Sequence, residues 1–165
     1  MITLLKHWKK WRLRAGLGLA GLLLIAQAFN PARTNPPVIP GGDITATNPP
    51  PPEVTALLHK ACYDCHSQET TWPWYAHISP VSWLVADDVY EGRKHLNFSQ
   101  WPHSDPGHAA RKLDHISEAL DDKDMPPAKY TLIHGNARLT EVQRQLLITW
   151  ADATANRLKA ADTNN

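Results

Sequence analysis

Cys62-Tyr63-Asp64-Cys65-His66 sets two thiols three positions apart, with an imidazole directly after the second. At this spacing on a helical turn, the thiols can add to the two vinyl groups along one porphyrin edge, and the adjacent imidazole then lies under the iron. One short segment thereby supplies two thioether links and an axial ligand. Just upstream, Val54, Leu57, Leu58 and Ala61 recur at helical spacing within Glu53 to Tyr63.

Other chemistries need more than this chain offers. A zinc site would use both thiolates and His66 but takes a second ligand pair with its own spacing, and no second C-x-x-C exists. A thioredoxin-like redox pair belongs beside a βαβ pattern, and no alternating strand pattern is found. With only two cysteines in 165 residues, a disulfide framework is excluded.

Downstream, the pattern stays helical. Val81, Leu84, Val85 and Val89 fall on one face of a helix running to about Leu96. Asp105-Pro106 reads as an N-cap followed by proline at the first helical position. Leu113, Ile116 and Leu120 form the apolar face of that helix. Thr140 and Gln143 form a capping-box pair for a last helix carrying Val142, Leu146, Leu147, Trp150 and Leu158 on one stripe. The expected class is all-α, a small cytochrome c-like helical domain around one covalent haem.

A sixth iron ligand is sought among thioethers and imidazoles, since Met/His ligation is the arrangement that raises a haem potential. Met1 lies at the chain's start, which leaves Met125, in Asp124-Met125-Pro126-Pro127 between two helices, as the candidate. The prolines stiffen the backbone beyond the sulfur. A structural methionine would more often be a core filler. His59, His77, His95, His103, His108, His115 and His134 are the rival ligands, with His77 and His134, each beside an isoleucine, the better placed. Trp72, Trp74, Tyr75 and Trp83 would wall a haem or pack an ordinary core. Asp87, Asp88, Glu91, Arg93 and Lys94 read as a solvated helix face, and Asp121, Asp122 and Asp124 as a polar helix end.

Residues 1–29 have the layout of an export signal: Lys6, Lys9, Lys10, Arg12 and Arg14 with Trp8 and Trp11, then an apolar run from Ala15 to Phe29 broken only by Gln27. Ala26-Gln27-Ala28 favours cleavage after Ala28. An uncleaved anchor is the alternative, although fifteen apolar helical residues reach only about 22 Å against a hydrocarbon core of roughly 30 Å. In either case the basic end stays inside and the rest is periplasmic, soluble or tethered to the inner membrane. Residues 30–52 hold eight of the fourteen prolines and read as a linker that could extend to roughly 70 Å as polyproline II. Residues 53–160 form the haem c-binding domain and 161–165 a tail. Outside the basic end the chain is mildly acidic, which argues against nucleic-acid binding and suits a basic redox protein as partner.

The segments CYDCHSQETTWPWYAHISPVSWLVADDVYEGRKHLNF and MPPAKYTLIHGNARLT resemble the small bacterial haem-binding-domain family of c-type cytochromes, from about Pro49 to Leu158. The resemblance implies an extracytoplasmic haem c module, with Cys62, Cys65 and His66 as the haem site and Met125 as sixth ligand. Its expected role is single-electron transfer rather than catalysis. A haem enzyme or sensor with an open sixth position, or an accessory haem module of a larger redox complex, are the alternatives.

Overall fold

The computed structural model describes residues 2–47 and 49–163. Among these described residues eight α-helices occur in this order: α1 (Ile2–Gln27), α2 (Ile44–Thr47), α3 (Pro52–Ala61), α4 (Tyr63–His66), α5 (Val81–His95), α6 (Pro106–Asp121), α7 (Ala128–Ile133) and α8 (Glu141–Asp162), with three short 3₁₀ turns between them. No strand occurs among the described residues. The protein is all-α.

The chain divides into two units. One comprises the described residues up to 34 together with 72–88; the other comprises the described residues from 35 to 71 and from 89 onward. The larger unit is built on α6 and α8, which pack along their length. Ala109 and Ala110 on α6 and Ala151 and Ala155 on α8 are all essentially inaccessible. Such small side chains let two helix backbones approach closely. Around this pair, Val54 and Leu58 from α3, Phe98, Leu113, Leu120 and Leu147 complete the core.

The caps explain where these helices begin. Asp105 accepts the His108 N–H at 2.7 Å, with Pro106 next in line. Thr140 and Gln143 close a reciprocal capping box on α8. The expected apolar faces are less uniform. Val142 is 80% exposed, so the α8 stripe begins at Leu146. On α5, Val89 is buried whereas Val81 and Leu84 are exposed. A heptad pattern records which residues share a face, not how far along the helix a neighbour extends.

The proline-rich segment is also less uniform than its composition suggests. Ile44 on α2 is 4% exposed within the core of the larger unit. The Trp101 N–H donates to the Gly42 carbonyl at 2.8 Å, and the Tyr63 hydroxyl to the Asp43 carboxylate at 3.0 Å. Residues 41–47 contain no proline and carry one large apolar side chain, which buries as any core residue would.

The end of α6 sets up the segment that follows. The Lys123 and Asp124 N–H groups turn back to the Leu120 and Ala119 carbonyls, the two reversed bonds of a Schellman motif. Lys123 sits at the left-handed position with φ 63°, where glycine is the usual residue. Replacing a lysine there removes a Cβ penalty, so Lys123→Gly is expected to raise unfolding stability by about 0.5–1 kcal/mol. A urea titration comparing the midpoints, at unchanged slope, measures this.

Candidate haem site

A cavity of about 380 Å³ opens in the larger unit. Its walls come from α3 (Leu58, Ala61), Cys62, α4 (His66), the end of α5 and beyond (His95, Leu96, Phe98), α6 (Lys112, His115, Ile116, Ala119, Leu120), Met125 and α8 (Leu147). Its size is typical of a small-molecule site, and its lining is largely aliphatic.

The turn that carries Cys62, Cys65 and His66 is held from several directions. After α3 the chain breaks at Cys62, whose carbonyl accepts the His66 N–H at 2.9 Å to form the one-turn helix α4. Tyr63, directed into the core, reaches Asp43. Asp64 accepts the Tyr130 hydroxyl at 2.8 Å and the Thr71 N–H at 3.0 Å. The Ser67 hydroxyl caps back onto the Tyr63 carbonyl at 2.7 Å, and Arg93 Nε donates to the Ser67 carbonyl at 2.7 Å. Arg93 is therefore a structural tie rather than part of a solvated face.

His66 Nδ1 lies 3.0 Å from the Gly92 carbonyl and 3.1 Å from that of Leu96. Both partners are acceptors, so Nδ1 carries the ring proton and the Nε2 lone pair is left for another partner. Burial lowers the His66 pKa, against the raising effect of the Leu96 and Gly92 carbonyls, and holds the ring neutral. Burial likewise pushes the Cys62 thiol up to about 12, with Cys65 adding to the shift. Such a thiol is protonated at neutral pH, unlike the thiolate of a disulfide oxidoreductase. Among the described residues, no group of three or more His, Cys, Asp or Glu side chains is arranged to hold a metal ion.

Met125 reaches the same cavity on the loop after α6. Its N–H donates to the Ala119 carbonyl at 3.1 Å. Arg144, from α8, donates one guanidinium nitrogen to both the Leu120 and Met125 carbonyls at 2.8 Å. This clamp had no signature in the sequence, because an arginine that serves backbone carbonyls looks like any surface charge of an amphipathic helix.

Of the rival histidines in the larger unit, His134 does not line the cavity, whereas His95 and His115 do, at its exposed edge; His77 belongs to the other unit. His134 stacks on Tyr130 with ring centroids 4.4 Å apart. The His59 ring lies tilted against Tyr63 with centroids 3.8 Å apart, and His103 lines a smaller pocket with Trp101 and Trp150. Within the larger unit the cavity's one phenyl or indole ring among the described residues is Phe98; Trp72, Trp74, Tyr75 and Trp83 belong to the other unit. Asp121, Asp122 and Asp124 are exposed, as a polar helix end should be.

Residues 21–153 match the haem-binding domain family. The chain belongs to this family. No curated protein sequence and no solved structure gives a significant match. As a haem-binding domain, the protein has haem as its cofactor, and the cavity fits that group in character: apolar walls for a flat macrocycle, with thiol, imidazole and thioether side chains upon them.

Among the described glycines of this haem-binding domain, Gly92 leaves the least room for a side chain. A Cβ at Gly92 would lie 2.6 Å from the Cys65 carbonyl oxygen and 3.1 Å from its carbon, both backbone atoms that cannot swing aside. Gly92→Ala is therefore expected to push α5 off the Cys62–His66 turn and to cost about 1–3 kcal/mol of stability. A denaturant melt of the two proteins checks this; a variant within 0.5 kcal/mol of wild type would mean that the contact relaxes freely.

Proposed function

We propose that the protein is an extracytoplasmic monohaem c-type cytochrome that carries single electrons. The observation that carries this reading is the convergence of Cys62 and His66, from one turn, with Met125, from a segment some sixty residues on, upon one apolar cavity. Cys62 and Cys65 would hold the haem through thioethers, His66 would be the proximal axial ligand and Met125 the distal one. When bound, the haem supplies one-electron chemistry at iron.

The chain's own residues supply position and environment. The Gly92 and Leu96 carbonyls fix the His66 ring and present Nε2, and the hydrogen bonds to Nδ1 raise the ring's basicity as a ligand. Arg144 and the Ala119 carbonyl hold the Met125 backbone. The aliphatic wall excludes water and favours the less charged state of what it encloses. If His66 and Met125 both hold the iron, a substrate would have to displace one of them to reach it, so the role proposed is that of a carrier for a redox protein partner rather than an enzyme. The compartment follows from the export-like N-terminus, with the periplasm as the location.

Two measurements test the proposal. Matured with c-type attachment machinery, the wild-type protein should keep its haem through denaturation and acid-acetone extraction. Cys62→Ala or Cys65→Ala should lower attachment, and the double variant should abolish it; complete extraction from the wild type would overturn covalent attachment.

Met125→Ala should keep the haem but lower its midpoint potential by on the order of 100 mV, about 2.3 kcal/mol for one electron. The reduced variant should also bind carbon monoxide quickly. An unchanged spectrum and potential, with His95→Ala or His115→Ala shifting both, would make a histidine the distal ligand.

A further inference from the structure

The apolar run of α1 ends against a set of polar contacts that an expendable leader would not need. Gln27 brackets Ser79 from both sides: its side-chain amide donates to the Ser79 carbonyl at 3.2 Å, and its side-chain oxygen accepts the Ser79 N–H at 3.2 Å. Asn30 accepts the Ser79 hydroxyl at 2.8 Å and donates to the His77 carbonyl at 3.4 Å. Arg33 donates to the Ala76 carbonyl at 3.3 Å. The Trp83 indole N–H donates to the Phe29 carbonyl at 2.9 Å. Ala76, Ser79 and Ser82 are buried at 2% exposure or less, so these backbone groups depend on protein partners.

This clasp straddles the Ala28–Phe29 bond. Gln27 lies before the expected cleavage point; Phe29, Asn30 and Arg33 lie after it. Ala26 and Gln27 are in the helix, and the Ala28 and Phe29 N–H groups continue its turn to Ile25 and Ala26. A peptidase reads its site as an extended strand, which this segment is not. The family match, moreover, begins at residue 21, inside the apolar run.

We propose that the N-terminal helix remains part of the mature protein, clasped through residues 27–33 onto residues 76–83, and that its partner is the lipid bilayer. No helix among the described residues is long and apolar enough to cross a membrane, so retention is argued from the clasp and not from span. The bilayer is argued from what the helix exposes. Leu17, Leu19, Leu22, Leu24 and Ile25 project over more than half of its circumference, and each is at least 60% exposed. Lys9, Lys10, Arg12 and Arg14 on the preceding turns are exposed and suit anionic headgroups, and Trp8 and Trp11 suit the interfacial layer.

The proposal rests on the export reading, and the test separates the two. The full chain is produced in a host that exports and attaches haem, then located by adding protease to spheroplasts and weighed intact by mass spectrometry. Retention expects a protease-accessible chain that keeps residues 2–28, stays in the membrane fraction through an alkaline carbonate wash and is released by detergent. An accessible soluble chain beginning at Phe29 overturns retention alone. An inaccessible chain overturns export as well. The clasp has its own readout in trypsin cleavage after Arg33 of the detergent-solubilised protein. The double variant Gln27→Ala with Asn30→Ala should be cut about tenfold faster, the factor expected from losing one or two net hydrogen bonds, at unchanged haem absorbance. An equal rate overturns the clasp.

Discussion

Two helical segments touch backbone to backbone where Gly92 meets the Cys65 carbonyl, and the candidate haem site depends on that approach. Any larger residue would hold α5 away from the turn that carries Cys62, Cys65 and His66. With the gap closed, the Gly92 carbonyl, which also accepts the Leu96 N–H, and the Leu96 carbonyl just past α5 both reach one imidazole nitrogen. Two acceptors on the same nitrogen select the tautomer of His66. Arg93, one residue further on, fastens the same turn through the Ser67 carbonyl.

The opposite wall of the cavity is organised by a different device. The chain leaves α6 through a left-handed lysine and is gripped by Arg144 as it passes α8. That guanidinium serves two carbonyls on either side of the reversal, which makes the loop as much a product of α8 as of its own prolines. Because α6 and α8 pack through alanines, the distance between them is set by backbone and methyl contact and leaves little room for drift. The position of Met125 is thus inherited from the most closely packed pair of helices in the unit.

The sequence was most informative where one residue type has one physical use. Asp105 before Pro106 and Thr140 with Gln143 start helices because their oxygens reach orphan amides, and both caps are present. Val54, Leu57, Leu58 and Ala61 share a face and are buried together. Met125 was singled out because no other methionine lay in the domain, and it lines the cavity with His66. Legibility failed where the decisive partner is backbone. Nothing in Gly92 or Arg144 as letters reports a nearby carbonyl. The proline count of residues 30–52 likewise obscured Ile44, a single core residue in a segment whose average character is extended.

Leu58, Leu120 and Leu147 have two allegiances: each belongs to the hydrophobic core of the larger unit, and each forms part of the cavity wall. Core and binding site are therefore one continuous apolar body, and whatever fills the cavity adds to the surface that folding removes from water. Folding and loading then share a single free energy, so that occupancy raises the barrier to unfolding and an unloaded chain opens more often. Quality control follows with no dedicated signal, because a protease that samples open chains removes immature copies and spares finished ones.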